Sequence, residues 1–496
     1  LIPEKAQPMN RSVWLVATLS LCTFPWWVRA QLQAPWHNEN HAGINGVLLN
    51  PAASTYFPLK WDFNVAEGSL FVENDLAYLE RTNLLELYSS RHQLNFAFRG
   101  DTEKPPNPGD VIFDFSREEI KRISTVQMQI LGPSLLLNLT DRHSVGLFTR
   151  ARAAWSAWPI PAPFNYYPYD ARPFFDTFEV NPFQTSFMSW SEWGMSYCYR
   201  FSGELTRTGI ALSLKKLLGY EAGFFEVEEP FLFQKLPNDS IAGEVPQLRF
   251  GFTRAAIDSF PDIVLTKNGG GMGIDLGVVI VVNPSDDRDS KPYDYRLGVS
   301  IFDLGGIRFR KNAALHRMAA TTRIALGGDD FQGLDRLEDY DTLIRTFSRI
   351  TLGTPGATYQ GAAFTMHLPT AISLQADYCF HKNLFVNATL VQEVPIFRVA
   401  PYRGSYFALT PRMEHRWFAA SLPIVLYRWR DVRIGASIRL GYLVLGTENL
   451  GSFLGNGGLT GTDFYAALKI NPFPLSVAGY DIKFKRKRGK VKCYEF

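Results

Sequence analysis

The sequence predicts an all-β fold: an antiparallel transmembrane β-barrel of about twelve strands, with fourteen as the alternative, and with long extracellular loops. Three observations carry this. Segments of ten residues or more alternate apolar with polar or small side chains, their connections run long and short in turn, and an apolar leader precedes them all. The alternation is clearest from Arg433 to Leu445. Ile434, Ala436, Ile438, Leu440, Tyr442 and Val444 form one series; Arg433, Gly435, Ser437, Arg439 and Gly441 form the other. Side chains on a strand point to opposite faces every second residue, so this segment has one apolar face and one polar face. A soluble sandwich shares that alternation. Unequal loops on alternate ends favour a barrel in an outer membrane.

Composition is consistent with this class. A chain of 496 residues could hold several ordinary domains, but barrels run this long as one. Aromatic residues make up 14%, with 38 phenylalanines. A mean hydropathy of −0.09 excludes a bundle of membrane helices, each of which needs about 20 apolar residues in a row. In a barrel only alternate residues meet lipid, which dilutes the average.

From the N-terminus, Met9, Asn10 and Arg11 form a short positive start, Val13 to Phe24 a mostly apolar run, and Val28-Arg29-Ala30 a small-x-small site. This is the pattern of a secretory signal peptide cut after Ala30, with residues 1–8 upstream of the start and read as a mis-called start. A lipoprotein reading would use Cys22, but Leu21 is too large for the usual lipobox. Removing residues 1–30 takes away Lys5, Arg11, Arg29 and Glu4, so a net charge of +3 becomes near neutral, which argues against a nucleic-acid partner. Cys198, Cys379 and Cys493 then remain, an odd number without the spacing of a disulfide framework or a zinc site.

Residues 31–58 form a separate lead-in, 59–470 the barrel and 471–496 a basic periplasmic tail, with 476–484 as a candidate last strand. The lead-in contains GINGVLLNPAA, small and mildly apolar, in which Pro51 opposes ladder pairing. It reads as a luminal plug, with Asn45, Gly46, Asn50 and Pro51 as the plug residues, or as a disordered periplasmic segment. The twelve strands are 59–74, 123–139, 143–154, 189–201, 207–218, 272–282, 293–309, 364–380, 384–392, 415–427, 432–446 and 461–470. Short turns at 140–142, 202–206, 283–292, 381–383 and 428–431 fall on one rim, which places both termini in the periplasm of a Gram-negative cell. Residues 393–414 read as one of the long loops. A helical period from Leu334 to Ile350 predicts a helix within another. The alternative of fourteen strands comes from splitting 59–74 and counting 476–484.

The runs GINGVLLNPAAS and KWDFNVAEGSLFVEND, the later GGGMGIDLG and the closing GTDFYAALKI carry a resemblance spanning nearly the whole mature chain. The chain resembles a Bacteroidota outer-membrane β-barrel family that is distantly similar to FadL-type transporters and to the PorV and PorP/SprF barrels. The resemblance implies transport of a small or hydrophobic solute, often with an inward N-terminal segment. Its alternative is a non-conducting accessory barrel for surface-protein export, related to type IX secretion or gliding. The partners it implies are outer-membrane lipid and lipopolysaccharide, the barrel-assembly machinery and, for the accessory reading, secretion-system or surface proteins. It implies no cofactor.

Few residues suggest chemistry. His37-x-Glu39-x-His41 would place three metal ligands on one face of an extended chain, but three ligands within five residues of a terminus more often coincide by chance. Gly269 to Gly273 looks like a phosphate loop, yet an alternating strand follows where a helix N-terminus is required. No G-x-S-x-G elbow occurs, and none of the eight histidines has Ser two residues later, so no enzyme is expected. The most informative set is the polar phase of the strands. Arg150, Arg152, Arg200, Lys215, Arg296, Arg433 and Arg439 share the inward face with Asp275, Gln375 and Asp377. They make either a basic lumen that favours anions or a salt-bridged interior that fills the barrel. The aromatics of 155–199 suggest an interfacial belt, or a sugar- or lipid-binding surface.

Overall fold

A computed structural model describes residues 35–91, 94–101, 104–117, 122–237, 240–254, 266–285, 291–319, 323–326, 340–455, 457–471, 476–477 and 480–481. The expected leader and most of the basic tail lie outside them, as do residues 334–339 of the expected helix; the helix itself runs from Tyr340 to Leu352.

Fourteen antiparallel strands close on themselves. In chain order they are β1 (Trp61–Asn74), β2 (Arg122–Leu131 and Ser134–Asn138), β3 (His143–Ile160), β4 (Gln184–Ser202), β5 (Thr206–Val227), β6 (Gly269–Val282) and β7 (Tyr295–Phe309). They continue as β8 (Phe364–His367 and Ala371–His381), β9 (Leu384–Glu393), β10 (Tyr406–Glu414), β11 (Phe418–Ser421 and Ile424–Tyr427), β12 (Asp431–Ile434 and Ala436–Leu440), β13 (Leu443–Thr447) and β14 (Gly461–Ile470). Closure is made by β1 against β14, from Phe63↔Ile470 to Glu73↔Gly461. Three of the interrupted strands break at Pro133, Pro369 and Pro423, where proline removes a ladder donor.

The count of fourteen arises otherwise than by splitting the first strand. Tyr406–Glu414, inside the segment expected to be a loop, is a strand paired with β9, and the run 432–446 turns back at Gly441-Tyr442 into β12 and β13. The described residues 476–477 and 480–481 make a small hairpin outside the barrel sheet. One turn changes rim as a result. Residues 428–430 join β11 to β12 beside the long loops, and Arg428 and Arg430 both bind Asp75 there.

Side-chain phase builds the wall. Outward residues Val278, Val299, Leu374, Leu390 and Phe407 lie in register across β6 to β10, forming an apolar belt. Tyr197, Tyr199, Phe201, Tyr295, Tyr378 and Phe380 are exposed towards the short-turn rim, where amphipathic rings suit a membrane interface. Val299→Arg should therefore cost about 2–4 kcal/mol of stability in bilayer refolding titrations. Leu440 is outward too but flanks the 441–442 turn, so a charge there should cost only about 0–1 kcal/mol. Equal penalties at the two positions would show that the belt is misplaced.

Candidate functional site: the filled lumen

Residues 35–57 thread the short-turn half of the barrel. Asn45, Gly46, Asn50 and Pro51 are all buried. Ile44 N–H donates to Asp62 Oδ2 (2.8 Å) on β1, and Asn45 Nδ2 donates to Asn64 (3.1 Å) and to Glu67 on the same strand. Asn38 Nδ2 donates to Thr389 on β9 (2.8 Å), and Asn40 N–H donates to Glu414 on β10 (3.1 Å). Ser300 Oγ on β7 donates to Leu49 O (2.7 Å), and Lys469 Nζ on β14 to His41 O (3.1 Å). Bonds to strands on every side fix the segment inside the wall.

The Asn50-Pro51 turn shows why these residue types stand here. Asn50 Oδ1 accepts from Ala52 N–H (2.9 Å) and caps the short 3-10 turn Pro51–Thr55, while its Nδ2 donates to Gln375 (3.2 Å). Two wall glycines make room for it: a Cβ at Gly277 would lie 2.1 Å from Asn50 Oδ1, and one at Gly298 would lie 3.1 Å from its Nδ2. Gly209 does the same for Thr55, at 1.9 Å.

The three side chains weighed as metal ligands are dispersed. His37 meets Glu67 (3.1 Å), Glu39 meets Arg439 (3.2 Å) and His41 lies 3.9 Å from Glu414, because the chain coils here and does not extend. The glycines 269–273 lie in β6, where a Cβ at Gly271 would collide with the Gly306 carbonyl oxygen at 1.8 Å. They serve close strand approach.

Above the N-terminal segment lies a layer of charge centred on Asp303. Its carboxylate meets Lys215 (2.7 Å), Arg152 (2.9 Å), Arg403 (2.5 Å) and Arg150 (3.3 Å). Glu192 holds Arg150 (2.6 Å) and Arg152 (3.0 Å), and Asp275 holds Lys215 (2.6 Å). Nearer the short-turn rim, Asp377 pairs with Arg296 (3.0 Å) and Arg412 (2.7 Å); elsewhere Arg433 pairs with Glu73. Arg200 instead donates to the carbonyls of Ser54 (3.2 Å) and Thr140 (2.7 Å). All ten inward candidates are thus buried, and the cations among them are engaged. Such pairing is what a low-dielectric interior demands of charge.

Residues 394–405, joining β9 to β10, fold inward from the opposite end. The carbonyl of Tyr402 accepts from Gln127 (3.0 Å), that of Ala400 from Gln184 (3.2 Å) and that of Val399 from His367 N–H (2.9 Å). Val399 joins an apolar cluster with Met188, Trp190, Phe224, Phe309 and Phe364. Burial brings the Arg403 guanidinium down to about 10 against the pull of Asp303, with Arg152 and Arg150 adding to the fall.

Asp303 escaped strand-phase reasoning because a bulge opposes it. Register shifts between Ile274 and Leu276, and Phe302 and Asp303 both turn inward, with Asp303 at φ 59°. An acid in an apolar strand just before two glycines was the available signal. Arg403, Arg412 and Glu414 were hidden by reading 393–414 as a loop. Glu192 lies in phase with Arg200 and was legible.

The wall itself carries a hollow of about 520 Å³ on its outer side. Phe63, Pro133, Leu147, Trp193, Met195 and Met272 line it, beside the break in β2. At the break Gly132 N–H still donates to Thr149 O (2.8 Å), and Ser134 Oγ accepts from Thr149 N–H (3.3 Å). Behind it stands Phe148, which also lines the hollow. Phe148 lies over Gly194, where a Cβ would meet its ring at 2.0 Å, and packs with Ile44, Val47 and Leu48 of the N-terminal segment.

Among solved structures, the P. putida toluene transporter TodX superposes with a TM-score of 0.37 at 9% identity, over 86% of this chain and 94% of that one. A Pseudomonas aeruginosa FadL homologue gives 0.32 at 10% identity, over 90% and 100%. The translocator domain of autotransporter NalP from Neisseria meningitidis gives 0.30 at 7%, over 88% and 99%. Superpositions this loose decide nothing about solute or activity, and the barrel rests on its own strand pairing. No curated protein matches. One family model does match, over residues 87–448, from the first long loop into the last. The chain belongs to this family of unknown function, DUF5723.

Proposed function

We propose that this protein is an outer-membrane transport barrel that passes or captures a small hydrophobic solute through its wall, with residues 35–57 as the gate. The carrying observation is the apolar hollow at the β2 break, divided from the lumen by Phe148, whose inner neighbours belong to the N-terminal segment. A hydrophobic solute in that hollow stays out of water, whereas an axial path would cross the charged layer at Asp303. Movement of the segment would free Phe148 and join hollow to lumen. In this reading the long loops face outward and both chain ends face the periplasm.

The filled lumen favours a second reading, an accessory barrel that docks secretion or surface proteins without conducting. Uptake separates the two. Radiolabelled toluene and laurate serve as probes in a Gram-negative host lacking its own hydrophobic-solute channel. The wild-type chain should raise uptake of at least one probe above the empty vector, and Phe148→Ala should raise it several-fold further. If uptake stays at the empty-vector level for both chains, with the barrel folded, the transport reading fails and the accessory reading gains.

A further inference from the structure

A second cavity, of about 210 Å³, opens at the long-loop end of the lumen beneath residues 394–402. One side is the inner face of β3 and β4, with Ser156, Trp158 and Gln184; the other is the end of β8 and β9, with Thr370 and Glu393. Most of its polar groups are already committed. Ser156 Oγ accepts from Tyr402 N–H (2.9 Å), Gln184 Nε2 donates to Ala400 O (3.2 Å), and Thr370 Oγ1 donates to Asp303 O (2.8 Å).

Glu393 differs. Its Oε1 accepts one backbone N–H, from Arg403 at 3.0 Å, and no described side-chain cation stands within ion-pair distance of it. The guanidinium groups nearby are spent elsewhere: Arg403 on Asp303, Arg398 on Glu226 and Glu228, and Arg428 on Asp75. A carboxylate thus borders a half-enclosed cavity without a described ion-pair partner of its own, the nearest guanidinium being that of Arg403, which is bound to Asp303. Beside it stand the rings of Trp158 and Tyr402, with centroids 5.2 Å apart and planes inclined by 34°. Arg428 lies over Trp158 at 5.2 Å, so part of that ring's cation-binding capacity is occupied. The same guanidinium bonds to the Tyr402 side chain and leaves the Tyr402 ring face as the second aromatic surface.

We infer that this cavity binds a small organic cation, an alkylammonium or arylalkylammonium, with its charged nitrogen on Glu393 and its apolar body against Tyr402 and Trp158. A half-buried carboxylate gains most from a cation that donates hydrogen bonds to it, and electron-rich ring faces add to the attraction. A carboxylate-bearing ligand would meet repulsion, and a neutral alcohol would leave the charge uncompensated. The inference is independent of the route through the wall, since the two cavities share no lining residue.

Calorimetric titration of the full barrel in detergent with benzylamine, benzyl alcohol and benzoate tests it. Benzylamine should bind the wild type about tenfold or more tightly than benzyl alcohol, and benzoate should bind least. Glu393→Gln should remove the preference for benzylamine, and Tyr402→Leu should weaken benzylamine while Glu393 still favours it over the alcohol. Equal affinity for amine and alcohol in the wild type, tighter binding of benzoate, no binding of any probe, or a preference that survives in Glu393→Gln would each overturn the proposal. Should Glu393→Gln fail to fold, the comparison of the three probes on the wild type decides alone.

Discussion

Asp303→Asn should lower the stability of the folded barrel by about 3–5 kcal/mol, measured as a fall in the urea midpoint of refolding in bilayers. Asparagine tolerates the left-handed backbone at this bulge, so the loss isolates the charge. Four cations, Arg150, Arg152, Lys215 and Arg403, would be left with Glu192 and Asp275 as their remaining anions in that layer. Arg403 is the cation that residues 394–405 bring into the lumen, so it should be the first to leave, and proteolysis within that segment should quicken. Adding Arg403→Leu to Asp303→Asn removes the cation that lost its only ion-pair partner among the described residues, and should recover part of the stability. A midpoint unchanged by Asp303→Asn would mean that water, and not carboxylate, already solvates these groups.

Deleting Asn38 to Ala53 should leave a folded barrel that stays nearly closed to ions but takes up more hydrophobic probe. The inward carboxylates and cations that bind the segment, among them Asp62, Glu67, Glu414 and Lys469, can be hydrated once it is gone. The charged layer at Asp303 and the inward-folded 394–405 form a second barrier above it, and for barriers in series the larger resistance governs conductance. Combining the deletion with Asp303→Asn should therefore produce a large rise in single-channel conductance in planar bilayers that neither change gives alone. Gly277→Val, which crowds Asn50 without shortening the chain, should reproduce the uptake effect of the deletion. If the deletion by itself conducts fully, residues 394–405 do not obstruct the lumen.

Strand phase is a local property. A period of two is written into each segment, so the barrel class, the outward belt and the inward placement of Arg150, Lys215, Asp275 and Arg439 could be read from the amino acids alone. The stretch ahead of the first strand, with its small residues and Pro51, likewise marked a segment that pairs with no ladder. Closure and exceptions to phase are not local. Whether Tyr406–Glu414 is a strand depends on β9 lying alongside to accept its hydrogen bonds, and that pairing in turn moves residues 428–430 to the other rim. Asp303 faces inward only because β7 bulges against β6, which reverses the phase its neighbours dictate. The partners of the buried charges are chosen across the lumen, between residues separated by 400 positions or more, such as Glu39 and Arg439, or His41 and Lys469. Contacts at that separation follow from the circumference of the closed sheet and from what fills it, so only the folded chain could decide them.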